Sequence, residues 1–248
     1  MGQDEELVCG INSVDELLRR QPGRIQVLYF LENGGRRIKE LCHRAEQTEI
    51  VIKTVPATTL DKLADGVRHQ GVAAKVAPFV FTPLAKLIET AFQVTDTPVL
   101  VAIDGVTDPR NLGAIIRTAA AAGVVGLLLP ERRSAAITAA VAKTAAGALE
   151  SLPISRVVNL AEALRRCQAA GFWVYGAIAA GGEDLYCVKW PGAVVLVLGS
   201  EDKGLRPLVA KHCDHLITIP LAGESESLNV GIASAVTLFE INRSRRCQ

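Results

Sequence analysis

From residue 99 onward the chain repeats one pattern. Short runs rich in Val, Ile and Leu, at 99–103, 124–129, 154–158, 172–178, 194–198 and 216–219, are separated by helix-like stretches. A strand solvated on one face alternates apolar with polar residues; these runs do not alternate, so both faces must be covered. Helices are expected at 112–122, 134–149, 160–170, 205–213 and 228–243, the first rich in small residues that allow close packing on a sheet. Strands bounded by helices in this way imply an α/β fold with a mostly parallel sheet.

The first 75 residues form a smaller α/β unit. Ser13-Val14-Asp15-Glu16 has the form of a capping box, opening a helix that ends near Pro22-Gly23. A strand at 25–31, a helix at 36–47, a strand at 50–55, a helix at 59–70 and a strand at 72–80 follow. Pro78, Pro83 and Pro98 surround a short amphipathic segment at 84–92 and mark a connection. The expected organisation is a domain at 1–76, a linker at 77–97 and a larger domain at 98–248.

Composition excludes several classes. Lys and Arg number 27 against 26 Asp and Glu, so the net charge of +1 rules out a polybasic tail that wraps nucleic acid by charge alone. Aromatic residues are 4%, too few for a row of base-stacking platforms. Mean hydropathy is +0.26, yet the longest uncharged stretch near the middle, 118–130, is too short to span a bilayer. None of the six Cys forms Cys-x-x-Cys, and the start MGQDEELV is acidic without an apolar core, so reduced thiols in a cytoplasm are expected. Gly-x-Gly-x-x-Gly, Gly-x-x-x-x-Gly-Lys, His-Glu-x-x-His and Gly-x-Ser-x-Gly are absent, which removes the ordinary Rossmann, P-loop, zincin and hydrolase sites. His212-Cys213-Asp214-His215 are four adjacent residues that point in different directions and cannot all ligate one ion, so no metal is expected.

Three segments carry chemistry, each at the end of a buried-type strand, where parallel sheets bind ligands. The first is Asp104-Gly105-Val106-Thr107-Asp108-Pro109-Arg110-Asn111-Leu112-Gly113, running into a helix that contains Arg117. An Arg in so apolar a stretch either meets an anion or snorkels to solvent, and Asn111 either acts or caps the helix. The second is Gly199-Ser200-Glu201-Asp202-Lys203-Gly204, a Gly-flanked polar turn in which Glu201 is a functional carboxylate or a helix-dipole partner. The third runs from Ile219 to Ala233; Ser227 is the plain N-cap there, and Asn229 is a poor choice for a first helical turn.

In this order and spacing the three segments resemble the motifs of the SpoU (TrmH-like) branch of the SPOUT RNA methyltransferases, over about 150 residues of the chain. The preceding unit, with Val8-Cys9-Gly10-Ile11 and His69-Gln70-Gly71-Val72, resembles the L30e-like RNA-binding domain attached to many members. The resemblance implies a SPOUT fold with a trefoil knot, S-adenosylmethionine as methyl donor, and a homodimer with its sites at the subunit interface. It implies methylation of a ribose 2′-hydroxyl, with a guanosine of large-subunit (23S) rRNA the leading substrate and tRNA the runner-up. A non-catalytic ribosome-assembly factor is the alternative from another class. RNA is the expected partner; DNA and membrane are not.

Motif matching places Ala177, Gly199, Ile219, Leu221 and Leu228 against the cofactor, and Asn111, Arg117, Glu201, Ser227 and Asn229 in catalysis. Guanidinium stays protonated, with a pKa above about 12, so Arg117 suits phosphate binding and alkoxide stabilisation better than proton abstraction. RNA contacts are expected from local patches: Arg132-Arg133, Lys203 with Arg206, and Arg243-Arg245-Arg246. Asp202-Lys203 departs from the small residue common in relatives and is read as tuning RNA contacts. Glu224 and Glu226 are read as facing solvent or a partner subunit.

Overall fold

The computed structural model describes residues 6–20, 22–223 and 226–246. The chain forms two compact units, one from the residues up to Val80 together with Ala136–Ser151, the other from Phe81–Ala135 together with Leu152 onward. Among the described residues, no helix is long and apolar enough to cross a membrane.

The first unit contains β1 (Glu6–Cys9), α1 (Ile11–Arg20), β2 (Ile25–Leu31), α2 (Arg36–Ala45), β3 (Val51–Val55), α3 (Ala57–Ala64) and β4 (Val72–Val76). The sheet order is β1-β4-β2-β3; β4 is antiparallel to both its neighbours, and β2 and β3 are parallel. Val72, Ala74 and Val76 pack with Val14, Leu17 and Leu41 of α1 and α2, while Ala73 faces Leu60 and Ala64 of α3. Cover on both faces is why β4 is almost continuously apolar.

Two local expectations change here. Helix α1 starts at Ile11, so Ser13 lies inside it: Gly10, at φ 100°, turns the chain after β1, and Gln70 Oε1 accepts from the Ile11 amide at 3.2 Å. Helix α3 stops at Ala64 rather than near residue 70, because Asp65 and Gly66 both adopt positive φ.

The second unit opens with α4 (Leu84–Val94), β5 (Val99–Asp104), α5 (Pro109–Ala121) and β6 (Gly126–Pro130). The chain then returns to the first unit for α6 (Ala139–Ala145), and resumes with β7 (Ile154–Val157), α7 (Leu160–Ala169), β8 (Phe172–Ala177), β9 (Glu183–Asp184), β10 (Ala193–Gly199), α8 (Pro207–Ala210), β11 (His215–Thr218) and α9 (Val230–Arg246). The sheet order is β7-β6-β5-β10-β8-β11-β9, and every pair is parallel. Every residue of β5, β6 and β10 is buried. Val195 and Val197 of β10 pack with Leu87 of α4 and Leu160 and Leu164 of α7. Burial of each such side chain contributes about 1.5–3 kcal/mol, so a charge placed in β10 disrupts the unit. On the other face α9 runs against α5 and β10. A Cβ on Gly231 would lie 3.4 Å from that of Ala114, which measures how closely α5 and α9 approach.

The division of the chain departs from the composition in two places. The segment expected to be a linker carries α4, whose Leu87 and Ala91 are in the core of the second unit. The helix expected over 134–149 shrinks to α6, because Ala146 and Gly147 take positive φ and a short 3-10 turn follows. This excursion belongs to the first unit, where Glu150 accepts from Arg24 Nη1 at 2.6 Å with both side chains buried.

Candidate active site

Strand order brings the three motifs together. Although β10 follows β5 by nearly a hundred residues, it lies directly beside it, pairing Gly199 with Asp104. On its other side Leu198 pairs with Ala177 of β8, which in turn pairs with Ile217 of β11. The carboxyl ends of four strands therefore meet, the usual place for a ligand in a parallel sheet.

Asp104 ends β5 fully buried, and its carboxylate accepts from the Arg206 amide at 2.8 Å and from Arg206 Nε at 2.5 Å. These bonds staple the first motif to the stretch after the second. They hold Arg206 at the N-cap of α8, so the helix expected over 205–213 begins at Pro207, and it runs only to Ala210. Helix α5 is capped by Asp108, which accepts from the Arg110 amide at 2.9 Å, with Pro109 in the first turn. Asn111 therefore does not cap, and its side chain is available for other contacts.

The second motif is a tight turn closed by two backbone bonds between Ser200 and Gly204, of 2.9 and 3.0 Å. A Cβ on Gly199 would lie 2.3 Å from the Gly204 carbonyl carbon, so only glycine fits. At the tip of the turn, Glu201 Oε1 accepts from Asn111 Nδ2 and, at 2.7 Å, from Asn229 Nδ2. Asn229 Nδ2 also lies 3.2 Å from Asn111 Oδ1. The Oδ1 of Asn229 accepts from the Gly231 and Ile232 amides at 2.9 and 3.4 Å. Asn229, not Ser227, is thus the N-cap of α9, a position where Asn is favoured, which removes the propensity objection. One asparagine caps the start of a helix and ties that start to the carboxylate.

Beside this cluster is a cavity of about 560 Å3. Ala177, Gly199, Ile219, Leu221 and Leu228 all line it, as do Glu201 and Ser227. Sequence reasoning missed Leu198, Ile217, and a stripe on α9 formed by Val230, Ala233 and Thr237. The helical spacing of that stripe was a signal that could have found it. Lys203 and Asp202 line the same cavity, and so does Glu226. Glu224 lies outside the described residues.

Arg117 is the residue the structure does not bring in. It is exposed on α5, six positions from Asn111 and about 120° away around the helix axis, and it does not line the cavity. Two other arginines expected to meet RNA are occupied within the chain: Arg243 bonds Glu240, holding that carboxyl below its ordinary pKa, and Arg245 donates to the Thr97 and Gly192 carbonyls. Of the His-Cys-Asp-His run, Asp214 accepts from the Val174 amide and Gln168, while His215 stacks on Tyr175 with ring centroids 4.9 Å apart. Among the described residues no group of three or more His, Cys, Asp or Glu is placed to hold a metal ion.

Comparison with known proteins gives this geometry its context. Residues 98–239 match the model of the SpoU rRNA methylase family, and residues 7–81 match that of RNA 2′-O ribose methyltransferase substrate binding. An "uncharacterized tRNA/rRNA methyltransferase" of Synechocystis is 46% identical over 91% of the chain, which spans 59% of that relative's length. The 23S rRNA (guanosine-2′-O-)-methyltransferase RlmB of Escherichia coli is 41% identical over 97% of this chain and 99% of its own. The AdoMet complex of the SpoU methyltransferase AviRb from Streptomyces viridochromogenes superposes with a TM-score of 0.82, at 25% identity, covering 98% of this chain and 92% of that one. The chain belongs to the SpoU rRNA methylase family.

Proposed function

We propose that this protein transfers a methyl group from S-adenosylmethionine to a ribose 2′-hydroxyl of RNA in the cytoplasm, with a guanosine of 23S rRNA as substrate and the first unit as an RNA-binding domain. The observation that carries the proposal is the cavity beside the Asn111–Glu201–Asn229 cluster, walled by apolar residues of the strands and α9. A volume of about 560 Å3 is in the range of cofactor sites. Apolar walls and a side-chain-free Gly199 suit an adenosyl group held by packing and backbone contacts. S-adenosylmethionine, when bound there, supplies the electrophilic methyl group.

The chain's own residues do the rest. Glu201 fixes both asparagine amides through one oxygen, so the cluster is ordered before substrate arrives, and little reorganisation is needed at reaction. Ser227 and Asn229 border the place where a ribose would enter. Arg117, a permanent cation, neutralises a substrate phosphate and stabilises the developing alkoxide, and the proton leaves to that phosphate or to water. Since Arg117 stands apart from the cluster of its own chain, the active species is a homodimer in which Arg117 of the partner subunit completes the site.

Incubating the protein with labelled methyl donor and unmodified rRNA or tRNA, then mapping alkali-resistant ribose, tests the chemistry. Label on a guanosine ribose of 23S rRNA is expected; label on a base refutes the mechanism, and label on tRNA alone refutes the substrate. Mixing inactive Arg117→Ala and Glu201→Ala proteins tests the shared site. Random re-pairing should restore about a quarter of wild-type activity, and no recovery would refute the shared site.

A further inference from the structure

One buried polar group in the cavity wall has no partner. Thr237 stands on α9 in line with Val230 and Ala233, roughly 10 Å into the helix from its first residue. It is fully buried, and its Oγ1 makes no hydrogen bond with any described residue. Helical hydroxyls normally satisfy themselves on the carbonyl three or four residues back. Others in this chain do so: Ser234 Oγ donates to the Gly231 carbonyl at 2.7 Å, Thr90 to Lys86 at 2.8 Å, and Thr144 to Ala140 at 3.0 Å. Thr237 does not, although Ala233 offers a carbonyl one turn back. A buried hydroxyl without a partner is costly and calls for an explanation.

The surroundings supply one. The cavity-wall residues that come from strands and helices are Ala177, Leu198, Gly199, Ile217, Val230, Ala233 and Thr237, and only Thr237 has a polar side chain. Against such a wall an adenosyl ligand packs well, but its hydroxyl, amino and carboxylate groups need fixed partners for orientation. We infer that Thr237 is a cofactor-binding residue, its Oγ hydrogen-bonded to a polar atom of the bound adenosyl cofactor. This rests on the cofactor reading above. Valine has the same shape as threonine but cannot make the bond, and serine can.

Calorimetric titration of the full-length protein with S-adenosylhomocysteine, alongside thermal melting without ligand, tests the inference. Thr237→Val should weaken binding about three- to tenfold, the loss expected for one hydrogen bond. Thr237→Ser should stay within about twofold of wild type. Ligand-free Thr237→Val should melt no lower than wild type, because the group removed had nothing to bond. In turnover the KM for cofactor should rise while the KM for RNA and the saturated kcat hold. Equal affinity of wild type and Thr237→Val would overturn the role of Thr237 alone. A lower melting temperature in Thr237→Val, with affinity lost equally in Thr237→Ser, would make the hydroxyl structural and also overturn it. No binding by wild type would overturn the cofactor reading and this inference with it.

Discussion

Asn229 performs two jobs that substitution can separate. Its Oδ1 caps α9, and its Nδ2 holds Glu201 at 2.7 Å. Replacing it with alanine removes the cap, at a cost of about 1 kcal/mol. The bond to Glu201 is exposed to solvent and adds little. For a domain of this size that corresponds to a drop in melting temperature of about 2–4 °C. A stability of about 5–15 kcal/mol absorbs such a loss, and the protein stays folded. Activity should fall much further, about a hundredfold or more, because a preorganised donor beside the reacting group is lost. Asn229→Asp keeps an acceptor for the helix amides and adds a charge that the helix dipole favours. It also sets a carboxylate against Glu201; at 2.7 Å the repulsion is about 1.5 kcal/mol even in water-like surroundings. That pair has its pKa raised above the unfolded value, and a raised pKa adds stability below the unfolded value that is lost as pH rises. The melting temperature of Asn229→Asp relative to wild type should therefore be higher at pH 5 than at pH 8, while its methyl transfer stays low. The assay is methyl incorporation into rRNA with melting curves in parallel. Turnover by Asn229→Ala within threefold of wild type would refute the reasoning.

Gly199→Ala forces a Cβ to within 2.6 Å of three backbone atoms at Gly204 and Leu205, so the turn must open; loss of cofactor affinity measured by calorimetry is expected, with normal affinity the contrary result. Arg24→Met removes the ion-pair partner of the buried Glu150 and should destabilise the first unit by about 3 kcal/mol, seen as a lower denaturant midpoint. Burial pushes the thiols of Cys167 and Cys213 up to about 12 and that of Cys9 up to about 11, from 9.0. At pH 8, Cys167 and Cys213 should alkylate roughly a thousandfold more slowly than an unperturbed thiol, and of the cysteines among the described residues the exposed Cys187 should label first by site-resolved mass spectrometry. The same raised values add stability below pH 9 that is lost as pH climbs from 9 toward 12, so stability should decline over that alkaline range.

The seven-stranded sheet explains why motifs far apart in sequence work as one site. Placing β10 between β5 and β8 sets Gly199 beside Asp104 and Leu198 beside Ala177. Backbone pairing along rigid buried strands then positions their ends to within a fraction of a side chain. The loops that leave those ends carry Glu201, Asn229 and the cavity wall.

The amino-acid sequence by itself determined the α/β class, most strands to within two residues, and the stretches that line the cavity. Those properties are local: continuous apolar runs report cover on both faces, and motif residues sit where strands end. Three matters were decided only in the tertiary structure. Which residue caps α9 depended on Glu201 and Asn111 arriving from elsewhere to fix Asn229. The boundary between the units depended on α4 joining one core and Ala136–Ser151 the other, through the Arg24–Glu150 pair, 126 residues apart. The separation of Arg117 from the cluster depended on Glu201 and Asn229 drawing Asn111, six positions earlier on α5, to the site. Each turns on partners distant along the chain, and periodicity carries no information about which distant groups will meet.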